Sequence, residues 1–551
     1  MMKRILGLST ALLLLASASF SSCSTDEIEL EGEVPASEAR LKSISITETT
    51  LVLPVEGSAE LHFAVRDAGF VFNYSVASPD CQVQITCMNP SAARYFHLSG
   101  VHPDGEEPGR YVAVLQDDNI DALYSTDCIL SISQVNAETG NTSYVSSSPF
   151  VVQSEGVETG GVVIRTGLPV VYVNTENGQG IWSKEEFVGA TLYIKGNNQY
   201  EGLQEVSCSI RGRGNTTWSW PKKPYLLKLD EKQHIFGMHK HKRWVLLANF
   251  MDRTLMRNIV SMKVASMTSL AWTPGCVPVE LVLNGEHKGN YLLIEQVRVD
   301  NHRVNITEMT PQDNSGTAVT GGYLLELDFH YDNKVQWKDH DIPFAVKYPD
   351  PDELTSAQKT YIKNYIAEVS NAIYGSSFTD PNKGYAKYLD VDSFIDYWIV
   401  FEVMGNHELG NPGSVYFHKD RGGKLVAGPC WDFDWGVLSY NTSPHAKTGL
   451  VNGNAIWYRR LFQDPAFKAR VKARFEELLP QLRTIPAYID ETEALLQRSA
   501  ELNFAMWNPA EDASQNGGRI INGDENLSFH DAVRRLRSIY EERLVVIPKC
   551  L

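Results

Sequence analysis

The sequence Gly428-Pro-Cys-Trp-Asp-Phe-Asp-Trp-Gly436 places two carboxylates, Asp432 and Asp434, between two tryptophans. Upstream, residues 401–420 form a second dense cluster of polar side chains within an apolar context. Carboxylates enclosed by aromatic side chains lose hydration, which is costly unless they bind something. A hard cation such as Mg²⁺ binds one or two carboxylates together with phosphate oxygens and water. The stretch therefore predicts a metal site that also receives a nucleotide.

The length and the charge of the chain limit its architecture and its partners. With 551 residues, the chain is too long for one hydrophobic core and should form two or three domains. The formal net charge is −17, from 50 basic and 67 acidic residues. This balance argues against a general nucleic-acid-binding protein, although it leaves room for a local basic cleft.

The N-terminus has the composition of a targeting segment. Two basic residues precede the apolar run of residues 5–15, which is too short to span a membrane as a mature helix. The sequence Phe20-Ser-Ser-Cys23 resembles a bacterial lipoprotein box, in which the cysteine is lipidated; a plain secretory signal is the alternative. We predict a lipoprotein signal peptide over residues 1–22, a lipid anchor at Cys23 and an acidic tether over residues 23–40. The acidic residues resemble the export signal of surface lipoproteins and indicate a surface-exposed protein on the outer membrane.

Residues 41–155 contain short segments in which apolar and polar residues alternate, separated by Gly, Pro, Asp and Asn. The segments are 43–47, 60–65, 70–76, 82–86, 111–115 and 129–133. Short strands at this density predict an all-β immunoglobulin-like sandwich, which we interpret as a spacer or adhesion module.

The cysteines of this region leave their pairing open. A disulfide could join Cys81 to Cys87 or Cys87 to Cys128 outside the cytoplasm. No pair in the chain has the spacing of a zinc or redox site, and scattered buried thiols are the preferred interpretation.

Residues 165–548 differ in sequence pattern from the preceding region and predict a second, α+β domain. The segment from Arg211 to Asp230 begins Arg-Gly-Arg-Gly-Asn-Thr-Thr-Trp, so Arg211, Arg213 and Asn215 could present guanidinium and amide donors to an anion. Lys228 is a single charge within an apolar strand, and it either joins this anion site or points to solvent.

Other local signals in this domain are turns and helix starts. The dipeptide Asn284-Gly285 between two apolar runs predicts a β-hairpin. Asp252 is a candidate N-cap for a helix that carries Met256-Arg-Asn258. Helical spacing predicts helices over residues 356–374 and 391–405, and the C-terminal part from residue 455 is mostly helical.

At this point the motifs resemble one family in a fixed order. Arg211-Gly-Arg-Gly-Asn-Thr-Thr-Trp, Met256-Arg-Asn258, the strand ending in Glu295 and Trp431-Asp-Phe-Asp434 are similar to the CotH kinase family. Each motif is weak alone, but the ordered set is specific. The resemblance implies an atypical, secreted or surface-associated protein kinase with a remote kinase-like, two-lobed fold. It also implies ATP with Mg²⁺ or Mn²⁺ as cofactors and a protein hydroxyl at the cell surface as acceptor.

The resemblance assigns a role to each candidate site residue. Phosphate would be held by Arg211, Arg213 and Asn215. The strand lysine that reaches the α- and β-phosphates would be Lys228 or, as second choice, Lys222. The metal would be held by Asp432, with Asp434 and Asn411 as further ligands. We expect Arg213, Lys228, Glu408 and Asp432 to line one cleft.

Glu408 is the departure from the family pattern, because many members carry aspartate at this place. Glutamate is one methylene longer, and a displacement of about 1 Å can cost about a hundredfold in rate. Glu408 would be the catalytic carboxylate of an active kinase. The alternative is a degenerate pseudokinase or adhesion lipoprotein that binds nucleotide or a partner without phosphotransfer. A glycoside hydrolase that uses Glu408 with Asp432 or Asp434 is a third interpretation, which the basic Arg211–Lys228 stretch disfavours.

Overall fold

The computed structural model describes residues 41–54, 58–67, 81–88, 95–118, 125–135, 142–147, 149–154, 158–159, 162–164, 166–441, 443–508 and 522–551. The predicted signal peptide (1–22), the tether (23–40) with Cys23, and the strand predicted at residues 70–76 lie outside the described residues. Strands and helices are both abundant, which confirms the predicted α+β class. In the part of the chain that is described, no helix is both long and apolar enough to cross a membrane.

Two sheets form the N-terminal region. Its strands, as far as they are described, are β1 Leu41–Ile46, β2 Thr50–Leu53, β3 Ser58–Asp67, β4 Cys81–Cys87, β5 Phe96–Pro103, β6 Arg110–Asp117, β7 Ser125–Val135, β8 Thr142–Ser146 and β9 Phe150–Ser154. One sheet has the order β1-β3-β6-β5; the other has β2-β9-β7-β4, with β8 added to β7. Leu61 and Leu115 of the β1-β3-β6-β5 sheet share a core with Leu53 and Leu130 of the β2-β9-β7-β4 sheet. The immunoglobulin-like assignment itself stays a prediction.

The cysteines of this region are free thiols, and the structure contains neither of the two disulfides that the sequence left open. Cys87 and Cys128 are cross-strand neighbours on β4 and β7, with their Sγ atoms 3.5 Å apart. Burial raises the pKa of the Cys128 thiol, so this sulfur stays protonated at neutral pH.

A closed barrel follows the short strand pair β10 Glu158–Thr159 and β11 Val162–Val163. Its strands are β12 Val170–Thr175, β13 Val188–Lys195, β14 Leu203–Gly212, β15 Tyr225–Gln233, β16 His241–Leu247, β17 Cys276–Leu283 and β18 Glu286–Glu295, in the order β12-β13-β14-β15-β16-β18-β17. Parallel pairing of β12 with β17 closes the ring. Alternate side chains such as Leu227, Trp244 and Leu293 fill the interior. The predicted hairpin turn at Asn284-Gly285 is confirmed, with φ of 53° and 78°.

A five-stranded antiparallel sheet, called the second sheet from here on, packs with the helices into one large core. Its strands are β19 Tyr323–Leu327, β20 Gln336–Asp339, β21 Ile342–Tyr348, β22 Val415–Lys419 and β23 Leu425–Ala427, in the order β20-β21-β19-β22-β23. The core joins barrel residues such as Val245 and Leu292 to Leu325 and Phe417 of this sheet. The second sheet and the barrel are therefore held against each other by shared apolar burial.

The α-helices of the described residues are α1 Thr216–Ser219, α2 Arg257–Ala265, α3 Ser356–Tyr374, α4 Val391–Val403, α5 Tyr458–Leu461, α6 Pro465–Leu482, α7 Ile485–Met506 and α8 Phe529–Cys550. The prediction for α3 is confirmed at both ends, and Thr355 forms a capping box with Gln358. Helix α4 is buried on every side except at Asp392, which suits its predominantly apolar sequence. Its buried acids Asp396 and Glu402 pair with Arg474 and Arg543.

The start predicted for α2 was wrong. The helix begins at Arg257 with Met256 as its N-cap, so Asp252 is not the cap residue. Asp252 instead reaches forward across a loop, and its Oδ2 accepts a hydrogen bond from the Arg257 N–H at 2.9 Å. The buried Arg257 guanidinium pairs with Asp252 and, at 2.6 Å, with Asp524. The sequence pattern did not indicate this arrangement because one partner comes from the C-terminal end of the chain.

Candidate active site

A cleft of about 520 Å³ is lined by residues of both the barrel and the second sheet. The barrel contributes the loop after β14, residues 213–217, and the end of β16 with the residues that follow it, 247–250. The second sheet contributes Glu326 of β19 and Lys347 of β21. The third wall is the loop after β23, which carries Trp431, Asp432, Asp434 and Trp435.

The loop after β23 holds its first carboxylate in an unusual backbone conformation. Asp432 has φ of 63°, in the left-handed region that costs an L-residue about 1 kcal/mol or more. The Ser414 hydroxyl lies 3.4 Å from Asp432 Oδ2 and donates to it. The Arg213 guanidinium lies over the Trp431 ring, 5.5 Å from its centroid. The turn therefore places Asp432 in the cleft beside a cation.

Three buried side chains from distant segments hold this loop by its backbone. Asn258 Oδ1 accepts a hydrogen bond from the Phe433 N–H at 2.8 Å. Asn522 Oδ1 accepts one from the Gly436 N–H at 2.9 Å, and Arg257 Nε donates to the Val437 carbonyl at 2.7 Å. The motif Met256-Arg-Asn258 thus acts on the site indirectly, by fixing the backbone that carries Asp432 and Asp434.

Burial raises the pKa of all three carboxylates of the cleft. Burial raises the pKa of Glu408 well above its usual value, and the negative charges of Asp432 and Asp434 raise it further. Burial and the Asp432 charge do the same to Asp434. Burial also raises the pKa of Asp432, while Arg213 and Ser414 oppose this effect. A cation bound among these groups would relieve both the burial cost and the repulsion.

A buried oxygen of Glu408 without a hydrogen-bond partner also favours a bound cation in the cleft. The Glu408 N–H donates to Asn406 Oδ1 at 2.9 Å, but Glu408 Oε2 is buried and has no hydrogen-bond partner in the structure. Among the described residues no group of three or more His, Cys, Asp or Glu side chains has the arrangement of a self-sufficient metal site. The carboxylate oxygens of Asp432 and Asp434 are of the ligand type that Mg²⁺ takes, and Mg²⁺ is usually bound by one or two carboxylates with further ligands from phosphate or water.

Two basic side chains face this acidic group. Arg213 and Lys347 both line the cleft and also line an adjoining cavity of about 610 Å³. Lys347 Nζ pairs with Glu326 Oε2 at 2.9 Å, and the Tyr416 hydroxyl donates to Glu326 Oε1 at 3.1 Å. These contacts fix Glu326, which in turn holds the lysine at the boundary of the two cavities.

The structure brings six of the predicted site residues to one cleft. They are Arg213, Asn215, Glu408, Asn411, Asp432 and Asp434. Asn215 and Asn411 are exposed, whereas the three carboxylates are partly buried. Guanidinium and amide donors thus lie in the same cleft as three carboxylates.

Lys228 and Arg211 do not reach this cleft. Leu227 and Leu229 point into the barrel core, so Lys228 between them points outward and is exposed. Arg211 also lies on the outer side, where its Nη1 donates to the Lys184 carbonyl. The solvent-facing interpretation of Lys228 was correct, and the expectation that it lines the cleft with Arg213 was wrong.

Lys222, the second choice for the phosphate-binding lysine, is buried and fully occupied by protein partners. Its Nζ donates to the Ala248 carbonyl and to Asn503 Oδ1, each at 2.8 Å, and to the Asn290 carbonyl. Burial lowers the pKa of Lys222 to about 7. This lysine therefore links helix α7 to the barrel and leaves no donor for a nucleotide.

Sequence reasoning missed Lys347, Glu326 and Asn522. Lys347 had the signal that singled out Lys228, because it too is a single charge in an apolar strand, Ile342–Tyr348. Glu326 has the same signal, as the single charge of the buried strand Tyr323–Leu327, but it was given no role. Asn522 lies about 90 residues beyond the loop it holds, so no spacing rule would connect them.

Comparison with known proteins is consistent with this geometry. Residues 210–547, more than half of the chain, match the family model described as CotH kinase protein. A search of curated proteins finds no match.

Similarity to solved structures is remote. Domains 5–6 of the S-layer protein SbsC are 12% identical, with 47% of this chain and 86% of that chain covered and a TM-score of 0.14. A protein of unknown function from Porphyromonas gingivalis W83 is 13% identical, with coverages of 43% and 91% and a TM-score of 0.13. Overlaps this poor carry no argument about fold. The family match carries the assignment, and the chain belongs to the CotH kinase family.

Proposed function

We propose that this protein is an atypical protein kinase that transfers the γ-phosphoryl group of ATP to a serine or threonine hydroxyl. The observation that carries the proposal is the meeting of Arg213 and Lys347 with Glu408, Asp432 and Asp434 in one cleft. Phosphoryl transfer needs cations against the phosphates, a metal among them and a carboxylate beside the attacking hydroxyl, and little other chemistry from the protein.

Each residue takes the role that its position allows. Asp432 and Asp434 would hold Mg²⁺ or Mn²⁺, which neutralises charge on the transferring phosphate. Arg213 and Lys347 would hold phosphate oxygens. The adjoining cavity, which both cations line and to which Met309 and Leu324 add apolar surface, has room for the base and ribose.

Glu408 is the group proposed to accept the proton of the attacking hydroxyl. Its Oε2 has no hydrogen-bond partner among the described residues, so it is free to accept one from an acceptor side chain. Asn406, which fixes the backbone of Glu408, positions this carboxylate.

The location and partners belong to the same proposal. A lipid anchor at Cys23 would attach the protein to the outer membrane with its domains at the cell surface, where a surface or secreted protein would be the acceptor. The net charge of −17 disfavours nucleic acid as a partner.

Incubation of the protein with radiolabelled ATP, Mn²⁺ or Mg²⁺ and surface-protein extract tests the proposal. We expect label on protein with the wild type and none with Asp432→Ala. Asp392→Ala, which removes an exposed carboxylate of α4, is the matched control and should transfer normally. The proposal fails if the protein neither transfers phosphate nor binds ATP at millimolar concentration with either metal.

A pseudokinase is the second candidate, and Glu408 in place of aspartate favours it. The variant Glu408→Asp separates the two. An active enzyme should respond with a changed rate in either direction, because the carboxylate moves by one methylene. A pseudokinase should bind nucleotide and transfer nothing in either form.

A further inference from the structure

Three cations that the cleft does not use lie together on the outer face of the barrel. Arg211 of β14, Lys228 of β15 and Arg243 of β16 surround the ring of Phe187, at 5.0, 5.9 and 5.3 Å from its centroid. Lys228 and Arg243 are direct cross-strand partners. We call these four residues the outer-face cluster.

Within the described part of the chain, Arg211 is the one cation of the cluster that has a charged partner, and its Nη1 also donates to the Lys184 carbonyl. There, the side chains of Lys228 and Arg243 form no hydrogen bond or salt bridge with another residue. The acid nearest to Arg211 is Glu185, 3.9 Å away and 87% exposed. Burial lowers the pKa of Arg243, and the neighbouring cations Arg298 and Arg211 lower it further.

The described residues offer little compensation for this gathering of positive charge. Like charges on adjacent strands repel, and the protein has an excess of 17 acidic residues from which partners could have come. The Phe187 ring supports the apolar stems of the cations and offers no acceptor to their N–H groups. The donors of Lys228 and Arg243 are therefore left for an anion from outside, together with those of Arg211 that do not face the Lys184 carbonyl.

The spacing of the three cations indicates which kind of anion the cluster would bind. Adjacent strands are about 4.8 Å apart, so three strands place the cations within about 10 Å. That spacing suits one compact dianion better than an extended polyanion. A phosphate monoester carries about −1.5 to −2 charges and accepts paired hydrogen bonds from guanidinium groups.

We propose that the outer-face cluster binds a phosphoserine or phosphothreonine side chain of a polypeptide, so that an acceptor already phosphorylated once stays on the protein. This inference rests on the proposed function, because phosphotransfer produces that group. Arg298, whose charge reaches Arg243, also lines the cavity that adjoins the cleft. A segment held at the cluster would therefore lie on the same side of the barrel as the proposed nucleotide site.

The test is a binding measurement that needs no turnover. A fluorescent phosphoserine peptide and its unphosphorylated form are titrated into the Asp432→Ala protein, and anisotropy is recorded. We expect the phosphopeptide to bind at least about tenfold more tightly, with an affinity that falls as salt rises. Lys228→Glu and, separately, Arg243→Gln should weaken its binding at least about tenfold.

Lys359→Glu is the matched control, because Lys359 is an exposed lysine on α3, and it should bind like the parent. Lys228 is exposed, so Lys228→Glu should keep its thermal midpoint. Equal affinity for both peptides, or full binding by Lys228→Glu, overturns the proposal.

Two competition experiments distinguish a phosphopeptide from free phosphate and from a lipid headgroup, which carry the same kind of anionic group. Inorganic phosphate should compete only at concentrations far above that of the peptide, and competition at equal concentration refutes recognition of a peptide. Vesicles of phosphatidylglycerol should not displace the peptide, and displacement would assign the cluster to a lipid surface instead. A failure in these arms leaves phosphotransfer in the cleft untouched, so the two proposals fail separately.

Discussion

Replacing Asn258 with leucine should damage catalysis far more than it damages folding. Asn258 lies at the start of α2, is 1% exposed, and its Oδ1 accepts the Phe433 N–H at 2.8 Å. Leucine fills a similar volume but leaves that buried N–H unpaired, which costs about 1–3 kcal/mol. A domain with about 5–15 kcal/mol of stability remains folded after such a loss.

The catalytic cost follows from where the lost hydrogen bond acts. Phe433 is the residue between Asp432 and Asp434, so a shift of its backbone moves both carboxylates. A displacement of about 1 Å can lower the rate about a hundredfold. We expect kcat for phosphotransfer to fall by about that factor while circular dichroism still reports a folded protein.

Ser261→Ala is the matched control on the same helix. The Ser261 hydroxyl is buried and has no hydrogen-bond partner in the structure, so its removal should cost neither stability nor activity. The reasoning is refuted if Asn258→Leu retains the wild-type kcat, or if its loss of activity is no larger than the unfolded fraction measured under the assay conditions.

Three other predictions address the lysines and Glu408. Lys347→Met should weaken ATP binding about tenfold or more, since hydrogen bonds to charged groups contribute about 1.5–3 kcal/mol. Lys228→Met should leave ATP binding unchanged. Isothermal titration calorimetry measures both affinities, and equal losses would contradict the assignment of Lys347 to the ATP site. The pKa of Lys222 is about 7 in the folded state and 10.5 in the unfolded chain, so the unfolded state binds more protons between these two pH values. The free energy of unfolding should therefore rise with pH over that window in urea titrations, and Lys222→Met should lack this rise. Glu408→Gln should abolish phosphotransfer and retain ATP binding; transfer that persists would remove Glu408 from the proposed mechanism.

Local sequence patterns predicted the elements that local forces determine. The Asn284-Gly285 turn and the helix over residues 356–374 follow from backbone preference, capping and apolar period. Asp432 and Asp434 were recognisable because acids between tryptophans have few structural uses. Their positions in the cleft agree with this interpretation.

The lysines show where local pattern fails. Lys228 and Lys347 each interrupt an apolar strand, but only the packing of the barrel against the second sheet determines which one faces the cleft. Strand β15 misleads further because Leu226 and Leu227 are both buried, one outside the barrel and one inside. Alternation along such a strand does not reveal which face meets a ligand.

Sequence patterns also did not indicate the residues that hold the site in place. Asn522 and Asp524 act on the loop at 432–437 and on Arg257 through contacts that span at least 86 residues. Such pairs depend on how the C-terminal helices pack. No motif precedes or follows them that would indicate their role.

The position of the metal is the most direct test of the account. Crystals grown with Mn²⁺ and a non-hydrolysable ATP analogue would locate the ion by anomalous scattering. We predict a peak within coordination distance of the Asp432 and Asp434 carboxylates that depends on the analogue and disappears in Asp432→Ala. A peak elsewhere, or none in crystals that contain the analogue, would contradict the central claim.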